Sequence, residues 1–354
     1  MLSLSLKNYK QIEFTHQNPP IMSITFRTEA EIVPSKVKLE VNDTIVLIGS
    51  CFVEGVGQRL EEGLLPVMCN PYGTVYNPVA ISKQIKRIIH RQSCSDDELI
   101  SESGRWHSKY AHSRLSANTQ DEVKANISQA TEQAARALAN AKCLVITFGT
   151  AWIYRLIATG EVVANCHKLP ANQFQRELLS VDDIVRQYDE TIKTIQQHNN
   201  SIRILFTVSP IRHLKETLHG NQISKATLLL AIDKLMTQHT CVEYFPSYEI
   251  LLDDLRDYRF YADDMVHPSN VAVDYIYDLF AQNYLSSTTI SFVNEAKKIS
   301  QSLNHRNLGD EVAYQRFIAT VYERALAIKK KYNIADDNHV FAMAVHKLEH
   351  HLNI

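Results

Sequence analysis

Apolar positions along this chain follow two spacings. Four short runs are apolar at nearly every position: TIVLI (44–48), CLVITF (143–148), IRILFTVS (202–209) and CVEYF (241–245). Between them lie longer stretches with apolar residues every three or four positions. FVEGVGQRLEEGL follows the first run, and DEVKANISQATEQAARALANA, VDDIVRQYDETIKTIQQH and SKATLLLAIDKLMTQH precede the other three. The short runs read as strands buried on both faces and the long stretches as amphipathic helices. Helices feeding strands in this way imply crossover connections, so the expected fold is α/β: a three-layer α/β/α sandwich around a parallel sheet. Beyond about residue 288 the strand signal stops. SFVNEAKKISQSLNHR, DEVAYQRFIATVYERALAIKKKY and DDNHVFAMAVHKLEHHL read as three helices. The expected division is therefore an arm over 1–21, an α/β domain over 22–287 and a helical C-terminal extension over 288–354. That extension would pack on the sandwich or on a partner, and it offers a surface through which copies of the chain could associate.

Composition narrows the functional classes. The 354 residues are 45% hydrophobic and 21% charged, and a net charge of -2 gives no electrostatic reason to expect a nucleic-acid partner. No apolar run approaches the roughly 20 residues of a membrane-spanning helix. The first residues, MLSLSLKNYKQIEFTHQNPP, lack the apolar core and cleavage site of a signal peptide. The six cysteines are scattered without a CxxC pair, which reads as reduced thiols in a cytoplasmic protein and not as a disulfide framework or zinc site. The histidines lack a metal-ligand spacing such as HExxH, and no metal or cofactor is expected. NPYGTVYNP (70–78) has too few glycines for a phosphate loop, which argues against an ATPase.

In open α/β sheets ligands bind beyond the carboxyl ends of the strands, and here each strand hands over to small or polar residues. Gly49-Ser50-Cys51 follows the first, GTAW (149–152) the second and SPIRH (209–213) the third. The fourth leads towards DDMVHPS, with Asp264 and His267 three residues apart ahead of a helical run. A loop there can turn a histidine over the strand ends while the aspartate holds its other ring nitrogen, which is what a hydroxyl or thiol nucleophile requires of its base. Pro268 suits the start of the helix that follows.

The blocks IGSCFVEGVG, NPYGTVYNP, TFGTAWIY, NCHKLP, TVSPIRH, YFPSYEI and DLRDYRFYADDMVHPS span most of residues 40–285. In this order they resemble the GSCFA family, a branch of the SGNH (GDSL-like) hydrolase superfamily. The resemblance implies a flavodoxin-like sandwich with a nucleophile after the first strand, His267 as general base and Asp264 as its orienting partner. It also implies hydrolysis or transfer of acyl groups, often acetyl groups on carbohydrates, with the Gly73 N–H helping to bind an oxyanion.

Two departures stand out. The ungapped match of GSCFVEG to a GDS-type block puts Cys51 under the nucleophile, whereas the superfamily's habit of serine favours Ser50; both remain open. The third block, usually Gly-x-Asn-Asp, here begins Gly149-Thr150 and lacks the asparagine of the oxyanion hole. Thr150 or the Trp152 indole N–H could substitute. His167, Lys168, Arg212, His213 and Lys225 fall in or near loops after strands and could form a cationic pocket for a phosphorylated or carboxylated substrate. Trp106, His107 and His112 of WHSKYAH are of the kind that line a sugar cleft. Singly, each of these side chains reads first as a surface ion pair or a satisfied histidine. Two readings follow: an acyl-ester hydrolase or acyltransferase acting on a small or carbohydrate-linked ester, and an SGNH-fold binding module for an anionic or sugar ligand with weakened hydrolysis.

Overall fold

The computed structural model describes residues 27–35, 37–305 and 309–352; the arm expected over 1–21 lies outside them. The central sheet has five strands: β1 (Thr44–Gly49), β2 (Val67–Cys69), β3 (Ala141–Phe148), β4 (Arg203–Val208) and β5 (Val242–Tyr244). They run in the order β5-β4-β3-β1-β2 with every neighbouring pair parallel. This is the doubly wound, flavodoxin-like order, whose switch point lies between β1 and β3.

Strand alternation separates two cores. Val46, Ile48, Leu144, Ile146, Phe148, Ile204, Phe206 and Val208 face one side. There they meet helices α2 (Pro78–His90), α3 (Gln120–Asn140), α4 (Val181–His198) and α5 (Leu218–Gln238). Ile45, Leu47, Val145 and Leu205 face the other side. Helix α1 (Cys51–Glu62) covers that face together with α6 (Asn270–Tyr284). The last three helices, α7 (Ser287–Leu303), α8 (Glu311–Tyr332) and α9 (His339–Leu352), join this second core through Phe292, Ile299, Ile318, Ile328, Phe341 and Leu348. The helical tail thus packs on α1 and shares the apolar cluster of the sandwich.

Two antiparallel additions lie outside the layers. One is the hairpin Leu99–Glu102 with Arg105–Ser108. The other is a three-stranded flap, in which Trp152–Leu156 sits between Val162–Val163 and Phe174–Leu178. No helix among the described residues is long and apolar enough to cross a membrane.

Local chemistry explains the handover from β1 to α1. Gly49 has φ +149°, and a Cβ there would lie 2.2 Å from the Thr147 carbonyl oxygen on β3. Its N–H donates to Asn70 Oδ1 at 2.8 Å, and Ser50 N–H donates to Thr147 O at 3.2 Å. The two strand ends therefore touch through a residue that must lack a side chain. Gly49→Ala should lower the unfolding free energy by at least about 2 kcal/mol. A urea midpoint equal to that of the natural protein would contradict this account.

Candidate active site

Helix α1 begins at Cys51, with Ser50 as an extended N-cap residue. That geometry decides which side chain looks out. Ser50 is buried, its hydroxyl makes no capping bond, and Oγ has no hydrogen-bond partner. Cys51 lines a cavity of about 710 Å³, with Sγ 3.7 Å from His267 Nε2. Between the two nucleophiles left open by the sequence, the fold brings Cys51 to the histidine and turns Ser50 inward.

The loop before α6 holds His267 by its aspartate. Asp264 Oδ1 accepts the backbone N–H groups of Val266 and His267, each at 2.9 Å, and Oδ2 accepts from His267 Nδ1 at 2.6 Å. Met265 takes φ +59° to close this tight turn. These N–H donors hold the Asp264 carboxyl down at about 2, the His267 backbone N–H foremost. An ionised carboxylate only accepts, so Nδ1 carries a proton and Nε2 is the ring nitrogen that faces the thiol. Pro268 stands differently from expectation. The helix starts at Asn270 with Ser269 as its cap, and Pro268 precedes both, bridged to Tyr261. A residue whose own hydroxyl caps the helix at Ala272 N–H displaces proline from the first helical position.

Burial raises the Cys51 thiol above its ordinary pKa, and the Glu54 carboxylate one turn along α1 adds to the rise. The Tyr76 hydroxyl and the N–H groups of Cys51 and Phe52 pull the other way without cancelling it. The resting sulfur is accordingly a thiol. Glu54 is itself fixed by Asn70 Nδ2 at 3.1 Å and Thr74 Oγ1 at 2.8 Å.

The expected oxyanion donors are mostly committed elsewhere. The Gly73 N–H donates to Asn70 O at 2.7 Å. With φ +81°, Gly73 serves instead a close approach of His112, whose Cβ would lie 2.2 Å from an added Cβ. The N–H groups of Gly149 and Thr150 both donate to Tyr76 O, at 2.8 and 3.1 Å. The Thr150 hydroxyl pairs with Ser224 at 3.0 Å. Among these four positions only Trp152 keeps an unpartnered donor, its indole N–H, in a side chain that lines the cavity.

His167, Lys168, Arg212 and His213 all line the cavity. His167 is already satisfied, with Nε2 2.8 Å from Ser108 O and its ring stacked on His107. His213 is edge-on to Tyr76 at 5.4 Å, and burial, aided by nearby Lys225, pushes it down to about 4, which keeps it neutral. Trp106, His107 and His112 lie outside the cavity wall. No group of three or more His, Cys, Asp or Glu among the described residues is arranged to hold a metal.

Tyr76, Asn70 and Glu54 were not singled out from the sequence, although the first two sit in NPYGTVYNP. Lys225, expected with the cations of a ligand pocket, is instead fully buried and outside the cavity wall. Its Nζ donates to Gly149 O at 2.7 Å and Ser209 O at 2.6 Å, tying the ends of β3 and β4 together. Burial lowers its pKa from 10.5 to about 7.

The comparisons can now be set beside this geometry. A GSCFA family model matches residues 44–280. The chain belongs to the GSCFA family. Among curated proteins none matches. Among solved structures, one similar chain is a Corynascus thermopiles (Myceliophthora fergusii) carbohydrate esterase family 2 enzyme plus carbohydrate-binding domain. It has 10% identity and a TM-score of 0.37, over 74% of this chain and 69% of that one. The matched segment of the GSCFA chain begins at β1 and includes Cys51, Asp264, His267 and the whole cavity wall.

Two measurements test these electrostatics. The rate of Cys51 alkylation by iodoacetamide should rise with an inflection above pH 9, the side to which burial moves the thiol; an inflection below pH 7 would mean a preformed thiolate. For Lys225, the unfolded chain binds more protons than the folded one between its folded pKa of about 7 and 10.5. Stability should therefore rise with pH across that window, by up to about 1.4 kcal/mol per pH unit. Lys225→Met should flatten the rise in urea titrations from pH 7 to 10, and an unchanged slope would refute the assignment.

Proposed function

We propose that this protein is an acyl-ester hydrolase or acyltransferase that works through a thiol. Cys51 is the nucleophile, His267 the general base and acid, and Asp264 the residue that orients and charge-stabilises the imidazole. The observation that carries the reading is the unbroken line from Cys51 Sγ through His267 to Asp264, at 3.7 and 2.6 Å.

The chemistry runs in two halves. His267 Nε2 takes the thiol proton as sulfur attacks the ester carbonyl, and the carbonyl electron pair moves onto oxygen. The Cys51 and Phe52 N–H groups at the start of α1, which favour negative charge at the sulfur, can bond that oxyanion with help from the Tyr76 hydroxyl. Collapse expels the alkoxide, which takes the proton from His267 and leaves a thioester on Cys51. In the second half His267 deprotonates water or an acceptor alcohol, which attacks the thioester; the acyl group leaves on that oxygen and the expelled Cys51 thiolate recovers the proton from His267. Because the resting sulfur is a thiol, the base must act during attack and not before it.

An O-acetyl ester on a carbohydrate or small molecule fits the GSCFA resemblance to SGNH hydrolases. A second reading has one observation in its favour: the backbone donors of Gly73, Gly149 and Thr150 are committed within the fold. That would suit an SGNH-like binding module with little turnover.

Exposure to 4-nitrophenyl acetate should place an acetyl group on Cys51, read by peptide mass spectrometry. Cys51→Ala and His267→Ala should abolish the adduct and the turnover, while Asp264→Asn should lower kcat by on the order of a thousandfold or more. Acylation of Ser50 would reassign the nucleophile, and an unacylated Cys51 would leave the binding-module reading.

A further inference from the structure

We propose that the cavity beside Cys51 is an anion-recognition site that holds a phosphate or carboxylate group of the substrate against Arg212, Lys215 and Lys168. The proposal rests on the acyl-transfer reading for the position of the reacting bond; the binding of the anion stands apart from it.

The argument begins with charge left over. Lys168, Arg212, Lys215 and Glu216 are the formally charged Lys, Arg, Asp and Glu side chains in the cavity wall. Glu216 is engaged by Arg176, a guanidinium that also lies 4.1 Å over the Trp152 ring. Its negative charge is thus countered from behind the wall. Among the described residues Lys168, Arg212 and Lys215 make no ion pair with a carboxylate, although Lys215 adds to the pull of Arg176 on the Glu216 carboxyl. Other partly or largely buried guanidiniums behave differently: Arg59 pairs with Asp274, Arg87 with Glu98 and Arg203 with Glu243.

Arg212 is the most telling of the three. It is half-buried and lies near the phenols of Tyr248 and Tyr261, both neutral at ordinary pH. Withdrawing a guanidinium from water without a counter-charge is unfavourable, and a bound anion removes that penalty. The planar fork suits the paired oxygens of a phosphate or carboxylate. Lys215 sits on the same loop with its ammonium 5.7 Å over the Tyr154 ring.

The surroundings agree. Burial does most to keep His213 neutral, and Lys225, Arg176 and Lys215 push it the same way, as cations near the cavity would. A cleft with low-dielectric walls focuses such a field on an incoming ligand. The volume of about 710 Å³ exceeds what an acetyl group needs and falls in the range of small-molecule sites. Trp152, Tyr154 and Phe174 of the flap supply an apolar face for the body of such a ligand. The expected substrate is therefore an ester that carries an anionic group, lodged by the 209–216 loop while its carbonyl lies at Cys51.

The test is calorimetric titration of the full chain with inorganic pyrophosphate and, separately, with citrate, against the Arg212→Gln/Lys215→Gln double variant and Cys51→Ala. At least one anion should bind saturably, and the better of the two identifies a phosphate or a carboxylate source. The double variant should bind at least about tenfold more weakly at an unchanged melting temperature, while Cys51→Ala should bind as the natural protein does. A kinetic arm compares 4-nitrophenyl acetate with 4-acetoxy-3-nitrobenzoate, which carries a carboxylate on the leaving ring. A kcat/KM preference for the charged ester should vanish in the double variant. No saturable binding of either anion, or equal binding by the double variant, overturns the proposal. Acylation of Cys51 without anion binding leaves the acyl reading intact, and anion binding without acylation removes only that reading.

Discussion

The contact between the ends of β1 and β3 is the constraint on which the site depends. At Gly49 the strand runs so close to Thr147 that no side chain fits, and the chain must turn at once into α1. That turn sets the rotation of the first helical residues. It buries Ser50 and brings Cys51 out over the strand ends, where the switch point of the sheet opens a crevice. Lys225 secures the same rim from beneath by holding the carbonyls that end β3 and begin the β4 loop. The position of the Cys51 thiol is a property of backbone geometry before it is one of side-chain chemistry.

Electrostatics then divides the labour among the groups. Asp264 receives three N–H donors and stays ionised, which fixes the His267 tautomer. Cys51 lies between burial and Glu54 on one side and the Tyr76 hydroxyl and helix N–H groups on the other, with burial dominant. A neutral thiol avoids placing a persistent charge on sulfur in a partly buried cleft. The cations sit apart, in the 209–216 loop and beside the flap, away from the Cys51–His267 contact.

The helical tail enters this arrangement indirectly. Its apolar residues complete the core over α1, the helix that carries Cys51. Asn338 caps the last helix through Phe341 N–H and donates to Leu64 O just past the end of α1. Changes in the tail can therefore reach the nucleophile through the packing of one helix.

Periodicity alone was enough to read the layers. Runs such as TIVLI and CLVITF are apolar on both strand faces, and only a doubly covered sheet buries both. The Asp264–His267 pairing was legible as well, because three residues of separation across a tight turn leave little choice of partner. Tertiary structure decided the rest. Ser50 and Cys51 are adjacent in the chain, and only the helix rotation imposed by Gly49 separates inward from outward. The N–H groups of Gly73, Gly149 and Thr150 look free in a linear string, but the fold supplies them with the carbonyls of Asn70 and Tyr76. Lys225 and Arg212 are both loop-side cations on paper; one became a buried clamp and the other an unpaired charge in a cavity wall. Sequence fixes what local spacing and side-chain type can dictate, while hydrogen-bond partners and burial depend on segments far apart in the chain and appear only when the sheet brings them together.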